Sequence, residues 1–350
     1  MVEGKSPPVS VDADKLMAAL SPVRFCKLPT PLRHGVAQLR ISAEDFRVDE
    51  VPSYLPSGIG EHLYLHVEKR NVATHTVVDR LCRLFGLREV EIGFAGRKDA
   101  LGVTSQWLSV PARTVEPRLP EMASIDDVRL LESARHGNKL RLGHLWGNRF
   151  AIRIVGDIDL GLLATNLDVV ANGFPNHFGP QRFGHRGRTL IDALRFLRMN
   201  LPAKSRRQTF LVSALQAALF NLWLSARIRS LQWPQALPGD LLVRPGGSRF
   251  FSRGVDEDID SDIDCGKICV AGPLWGTSML SPHSTALTFA AQLWQQLGVD
   301  VDGFLSHPAF KVGGARSTFV VAADVSCHED PAGAKLCFSL PAGSYATVLI

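Results

Sequence analysis

The spacing of apolar residues changes twice along this chain, and that change limits the possible folds more than any single motif does. Near the start, "AQLRISAEDFRVDEVP" (37–52) and "PSGIGEHLYLHVEKR" (56–70) alternate apolar with polar residues, and Leu63, Leu65 and Val67 share one face. A period of two is that of a strand with one side buried. In the middle, "SRRQTFLVSALQAALFNLWLSARIRSL" sets Phe210, Leu211, Leu215, Leu219 and Leu222 at the spacing of one long buried helix. Beyond Pro308, "ARSTFVVAADVSCHEDPAGAKLCFSLPAGSYATVLI" returns to strand texture. Strands, then a different middle, then strands predict an α+β chain with one domain inserted into another. The expected division is 1–172 with 309–350 as an outer domain on a largely antiparallel mixed sheet, and 173–308 as a large inserted α+β domain. A length of 350 residues is enough to bury two cores.

Local signals fill in this frame. "NVATHTVVDRLCRLFG" carries Val77, Val78, Leu81 and Phe85 at helical spacing, with Gly86 where a C-terminal cap belongs. Val90 to Phe94 and Gln106 to Val110 read as two strands around a charged turn. "HGNKLRLGHLWGNRFAIRIVGD" reads as two strands around a turn at Gly147-Asn148. "NGFPNHFGPQRFGHRGRT" is a long loop rich in Gly, Pro and aromatic residues, and "HSTALTFAAQLWQQLG" is a helix with Gly298 after it. The first 15 residues are expected to be disordered and lack the apolar run of a signal peptide. No stretch reaches the roughly 18 uninterrupted apolar residues of a membrane span. The six cysteines form no CxxC pair, which suits reduced thiols in the cytoplasm.

Charge narrows the partners. Lys plus Arg outnumber Asp plus Glu by 39 to 34, a net charge of +5 that permits a polyanion without demanding one. The basic residues cluster, however. Arg182, Arg186 and Arg188 interleave with Phe178, Phe183 and His185, and Arg195, Arg198, Lys204, Arg206 and Arg207 follow, opposed only by Asp192. Cations beside planar rings suit phosphate contact and base stacking; a solvated basic face is the competing reading. No metal site is expected. "DEDIDSDID" lacks the Gly and Glu of a calcium loop and reads as a solvated acidic loop. His62 and His66 lack a glutamate in HExxH order, and "CGKIC" lacks two further soft ligands. No phosphate-binding or dinucleotide-binding glycine motif is present, so no nucleotide cofactor is expected.

One stretch points to chemistry. In "GFAGRKDALGVTSQW" (93–107) the pair Lys98-Asp99 falls between apolar flanks. As a surface turn it would be unremarked. Between apolar strands its charges must be paired, and a carboxylate at a strand end in a cleft is a usable nucleophile or base.

These residues carry a resemblance. "GRKDALGVTSQ", "EDFRVDE" at Glu44, "KLRLGHLWGNRF" at Lys139, "NHFGPQRFG" at Asn176, "SALQAALFN" at Ser213 and "GSYAT" at Gly343 stand in the order found in the TruD family of tRNA pseudouridine synthases, which the chain resembles from about Gln38 to its end. The resemblance implies a pseudouridine-synthase catalytic domain, an inserted TRUD domain, and isomerisation of uridine to pseudouridine, at uridine 13 of tRNA. It implies tRNA as the partner, no cofactor, no metal and no membrane, with a monomer favoured. It matches Asp99 to the catalytic aspartate, Phe46 and Phe150 to the rings lining the uridine pocket, and Asn148 to the asparagine of the GNRF motif. Arg40 falls where a basic partner for the aspartate is expected. Ala100, Gly102 and Ser317 depart from the family's usual residues.

The implied reaction breaks an N-glycosidic bond, turns the base and makes a C–C bond, so no atoms enter or leave. It needs a carboxylate kept ionised in a closed pocket by an adjacent cation, with Lys98 and Arg40 as candidates. Phe46 and Phe150 are expected to stack the flipped uracil, Asn148 to bond its edge or the aspartate, and Thr104 and Gln106 to help fix the turn. Arg182, Arg186, Arg188 and Arg206 are expected to touch RNA phosphates. Two alternatives stay open: the same chemistry on another RNA, and a non-catalytic RNA-binding protein on the same scaffold.

Overall fold

A computed structural model describes residues 38, 39, 42–98, 100–247, 249–252 and 259–350, the side chains of Val301 and Phe304 excepted. Arg40, Asp99, the first 15 residues and the start of the acidic "DEDIDSDID" run lie outside the described residues; the end of that run, Ile259–Asp264, is a short helix rather than loop. In chain order the strands are β1 (Gln38–Leu39), β2 (Phe46–Pro52), β3 (His62–Arg70), β4 (Gly93–Phe94), β5 (Val103–Pro111), β6 (Val128–His136), β7 (Leu145–Val155), β8 (Phe174–Pro175), β9 (Leu241–Val243), β10 (Phe250–Phe251), β11 (Cys269–Leu274), β12 (Gly314–Ser317), β13 (Phe319–Val320), β14 (Ala323–Asp330) and β15 (Gly333–Pro341). The fold class is α+β.

Two compact units divide the chain. The first, the sheet unit, spans the described part of 38–172 with Val321–Gly343. Its sheet runs β14-β15-β7-β2-β5-β3-β6, with β1 also on β7 and β4 also on β5. Among its described pairings only β2 with β5 is parallel; β7 pairs antiparallel with β2 and β15, and β3 with β5 and β6. The helix Thr74–Phe85 covers one face by packing Val77, Val78, Leu81 and Phe85 onto Leu63, Leu65, Val67, Leu108 and Val110. Gly86 ends it in the left-handed conformation (φ 70°), as its position suggested.

The second, the helical unit, spans Gly173–Val320 with Ser344–Ile350. Its axis is the helix Arg206–Arg229, whose Leu211, Leu215, Leu219, Phe220 and Trp223 are buried against the helix Arg188–Leu197, the sheet β10-β9-β11-β12 and the helix Ser284–Gln296. The expected apolar face is too narrow: burial runs almost all round this helix, and Gln216 and Asn221 turn inward to bond backbone atoms of Trp275, Val312 and Phe178. Phe210, expected inside, is 41 % exposed. By length and composition this helix would pass as a membrane span, yet 72 % of its apolar window is buried in the surrounding unit.

Three other expectations change. The return to the sheet unit falls at Val320/Val321 and not at 308/309, because β12 and β13 pair with β11 and β8 of the helical unit. Val90 is 69 % exposed: Glu89–Glu91 is a 3-10 turn held by Arg88 N donating to Glu91, and only Gly93–Phe94 is strand. Gly147-Asn148 is no turn. Both lie within β7, and the chain turns earlier, between His136 and Leu145.

The reason for Gly147 is close backbone approach. A Cβ there would stand 2.2 Å from the Leu340 carbonyl oxygen on β15, beside a bulge at Val51/Pro52 on β2. Glycine inside a strand often marks such a contact. Gly147→Ala is therefore expected to destabilise the chain by about 1–3 kcal/mol, because backbone and not a flexible side chain must move. A shift of the urea midpoint measures it; an unchanged midpoint would show that the strands separate freely here.

Candidate active site

The register of the sheet brings the singled-out residues together on one face. Thr104, Val48, Phe150 and Phe338 lie side by side across β5, β2, β7 and β15, and Glu50 stands opposite Asn148 in the next pair. Side chains at paired positions share a face, so strand pairing gathers residues more than two hundred positions apart.

At this place two strands compete for one edge of β5. The parallel pairing of β2 ends at Asp49–Ser105, while β4 pairs with β5 at Phe94–Leu108. Glu50 stands at the divergence. Its Oε1 accepts from the Trp107 backbone N–H (3.1 Å), and its Oε2 accepts from Lys98 Nζ (2.8 Å). Lys98 Nζ also donates to Asn148 Oδ1 (2.7 Å). The Glu50 side chain is wholly buried and that of Lys98 is 5 % exposed, so this is an ion pair out of water.

The segment between Lys98 and Gly102 is held at both ends by residues 71–74. Asn71 N donates to the Gly102 carbonyl (2.9 Å), and Gly102 N donates to Asn71 Oδ1 (3.0 Å). Lys98 N donates to Thr74 Oγ1 (2.9 Å). The single Thr74 hydroxyl proton is better placed for Gln106 Oε1 (2.8 Å) than for the Lys98 carbonyl (3.4 Å). That bond fixes the Gln106 amide. Gln106 Nε2 and Thr104 Oγ1, both buried, then have no hydrogen-bond partner among the described residues. Lys69 is buried across from Thr104, and its Nζ donates to the Val72 carbonyl. The described residues on either side of position 99, Lys98 and Gly102, are thus both tied to residues 71–74.

The rings are more enclosed than the sequence suggested. Phe46 is 3 % and Phe150 6 % exposed. They meet edge-on at 6.4 Å, and Phe150 stacks on Phe338 at 5.2 Å. Lys98, Asn148, Phe46 and Phe150 come together; Arg40 and Asp99 are not described. Sequence reasoning missed Glu50, Thr74, Asn71 and Phe338. Glu50 closes the quoted "EDFRVDE", but its inward direction depends on the pairing of β2.

The four arginines expected on RNA divide. Arg186, Arg188 and Arg206 are exposed. Arg182 is half-buried: its Nη2 donates to Ser213 Oγ (2.7 Å), and its guanidinium lies 5.0 Å from the Phe210 ring centre. The "NHFGPQRFG" run is mostly interior. Arg316 covers the Phe178 ring at 4.1 Å and donates through Nη2 to Asn176 Oδ1 (2.6 Å); burial lowers its pKa to about 10. Burial, with Arg316 nearby, pulls His177 down to about 4, so it is neutral near pH 7 and shares a hydrogen bond with Ser225.

Comparison with known proteins agrees with the motif order. The family described as tRNA pseudouridine synthase D (TruD) matches residues 33–201 and 192–350. A protein named tRNA pseudouridine synthase D from Anaeromyxobacter sp. (strain Fw109-5) is 37 % identical over 321 residues, 89 % of this chain and 90 % of its own. Proteins of the same name from Methylococcus capsulatus and Thermus thermophilus are 35 % and 34 % identical, covering 91 % and 94 % of this chain and 92 % of their own. A crystal structure described as tRNA pseudouridine synthase D (TruD) from Methanosarcina mazei shares the fold, with a TM-score of 0.71 over 94 % of this chain and 96 % of that one at 22 % identity.

Lys98→Met would leave the Glu50 carboxylate buried without its cation. Removing one partner of such a pair is expected to cost about 3–5 kcal/mol, read as a fall in unfolding free energy. A loss below about 1 kcal/mol, the range of exposed pairs, would show that water reaches Glu50.

Proposed function

The chain belongs to the TruD family of tRNA pseudouridine synthases, and we propose that it acts on uridine 13 of tRNA with Asp99 as the catalytic carboxylate. It is an isomerase that converts uridine to pseudouridine in tRNA. The observation that supports Asp99 most is the state of its described neighbours in sequence: Lys98 and Gly102 are tied down, and Lys98 is a buried cation on the sheet face that also carries the buried donors of Gln106 and Thr104. A binding protein has no use for such an arrangement, whereas a reacting carboxylate must be held in one geometry.

In this reading the uridine leaves its stack to reach the sheet face. Phe46 and Phe150 line its pocket, Asn148 bonds its polar edge, and Lys98 with Arg40 favours the ionised form of Asp99. Phosphate contacts fall to exposed arginines, Arg186, Arg188 and Arg206. Arg182 instead braces the fold through Ser213 and Phe210. The isomerisation neither gains nor loses atoms, so the chain's own residues suffice for its balance. The enzyme works in the cytoplasm, where its tRNA substrate is processed.

Two measurements test this. Asp99→Asn keeps size and removes charge; it should abolish pseudouridine formation in a tRNA transcript and leave tRNA affinity largely intact, since phosphate contacts lie elsewhere. Turnover by that variant would end the assignment, and mapping of modified positions with and without the enzyme distinguishes uridine 13 from another target. Separately, Arg186→Ala with Arg188→Ala should flatten the slope of log affinity against log salt by about one to two units. Arg182→Ala should lower the melting temperature without that change in slope. An unaltered slope in the double variant would move the RNA surface elsewhere.

A further inference from the structure

The pseudouridine synthase reading gives Glu50 no task, yet Glu50 keeps a wholly buried carboxylate on the sheet face. An ion pair at such a place does not need to exist for stability, because apolar residues of like volume often serve as well. What a charged pair adds is direction, and here the direction can be followed atom by atom. The Lys98 ammonium has donors only, so the Asn148 atom 2.7 Å away must be Oδ1, and the amide is set in one of its two flips. Its Nδ2 group, with donors only, then has no partner among the described residues. Lys98 in turn is placed by Glu50, whose other oxygen is fixed on the Trp107 N–H where β2 and β5 part.

We propose that Glu50 is a positioning residue for pseudouridine formation: through Lys98 it turns the Asn148 amide so that its N–H groups meet a carbonyl oxygen of the substrate uracil, and it holds the backbone immediately before Asp99. The inference rests on Asp99 being the catalytic carboxylate. Uracil offers acceptors at O2 and O4, so a fixed donor suits it; with the amide flipped, Asn148 would present a second acceptor and repel both. Lys98 is the relay because one ammonium touches both Glu50 and Asn148.

The test uses the full chain and a tRNA transcript. Glu50→Gln keeps size and an acceptor for the Trp107 N–H but removes the charge that holds Lys98. Its single-turnover rate per folded molecule should fall on the order of 10- to 100-fold while tRNA affinity changes by no more than about twofold. Adding Lys98→Met removes the remaining charge; the melting temperature should recover toward wild type while the rate stays low, because Asn148 has lost its partner. A Glu50→Gln protein as fast as wild type, or a double variant that regains rate together with melting temperature, would show a purely structural pair and overturn the proposal. Asp99→Asn run alongside separates the two levels. Activity in that variant removes the catalytic assignment itself; an inactive Asp99→Asn beside a fully active Glu50→Gln removes only the role of Glu50.

Discussion

A carboxylate without water must have a cation, and the meeting of Glu50 with Lys98 is the interaction on which the sheet-face site depends. It closes the gap left where β2 leaves β5 and β4 takes its place. Parallel pairing ends there, so a backbone N–H of Trp107 would face a neighbour that has moved away; Glu50 supplies the acceptor. The charge this brings inside is balanced by the residue adjacent to Asp99 in sequence. Fold and chemistry are therefore tied at one point. The same ion pair that lets two strands share an edge fixes Lys98, the residue that precedes the proposed catalytic carboxylate in sequence.

The rest of the clamp follows from ordinary backbone accounting. A loop next to a buried sheet face must satisfy its N–H and C=O groups without a ladder. Thr74, the first residue of a helix that itself packs on Leu65, Val67 and Leu108, and Asn71, in the bend before it, serve that need at Lys98 and Gly102. The helix Thr74–Phe85 thereby does two things: its apolar face closes one core, and its first residue bonds Lys98. Such support by packed elements is what keeps a reacting group in place to fractions of an ångström.

In the helical unit the same charge type does two different jobs. Arg316 and Arg182 lie against rings and bond side-chain and backbone oxygens, whereas Arg186, Arg188 and Arg206 reach water. An alternation of arginine and phenylalanine in sequence fits stacking inside a fold as well as stacking on RNA, since both use the same attraction of guanidinium for a ring face. Only burial separates the two. That is why the stretch from Phe178 to Arg188, which read as a nucleic-acid surface, divides: Phe178 and Phe183 are buried with Arg182 against the Phe178 ring, while Arg186 and Arg188 are exposed.

The chain's periodicities determined the α+β class, the helix Thr74–Phe85 with its Gly86 cap, and the long central helix, because a spacing of two or 3.6 residues is a local property of one segment. The ordered motifs likewise carried the family and singled out Lys98, Asn148, Phe46 and Phe150. Tertiary structure decided what depends on partners far along the chain. It put Gly147 inside a strand, because the tight approach of Leu340 cannot be read from "WGNRF"; it moved the boundary to Val321, because β12 and β13 find their partners in the helical unit. It brought Glu50 to Lys98 across 48 positions and Phe338 to Phe150 across a sheet. Strand register is a pairwise quantity: it exists only once two segments have met, and a single sequence shows each segment alone.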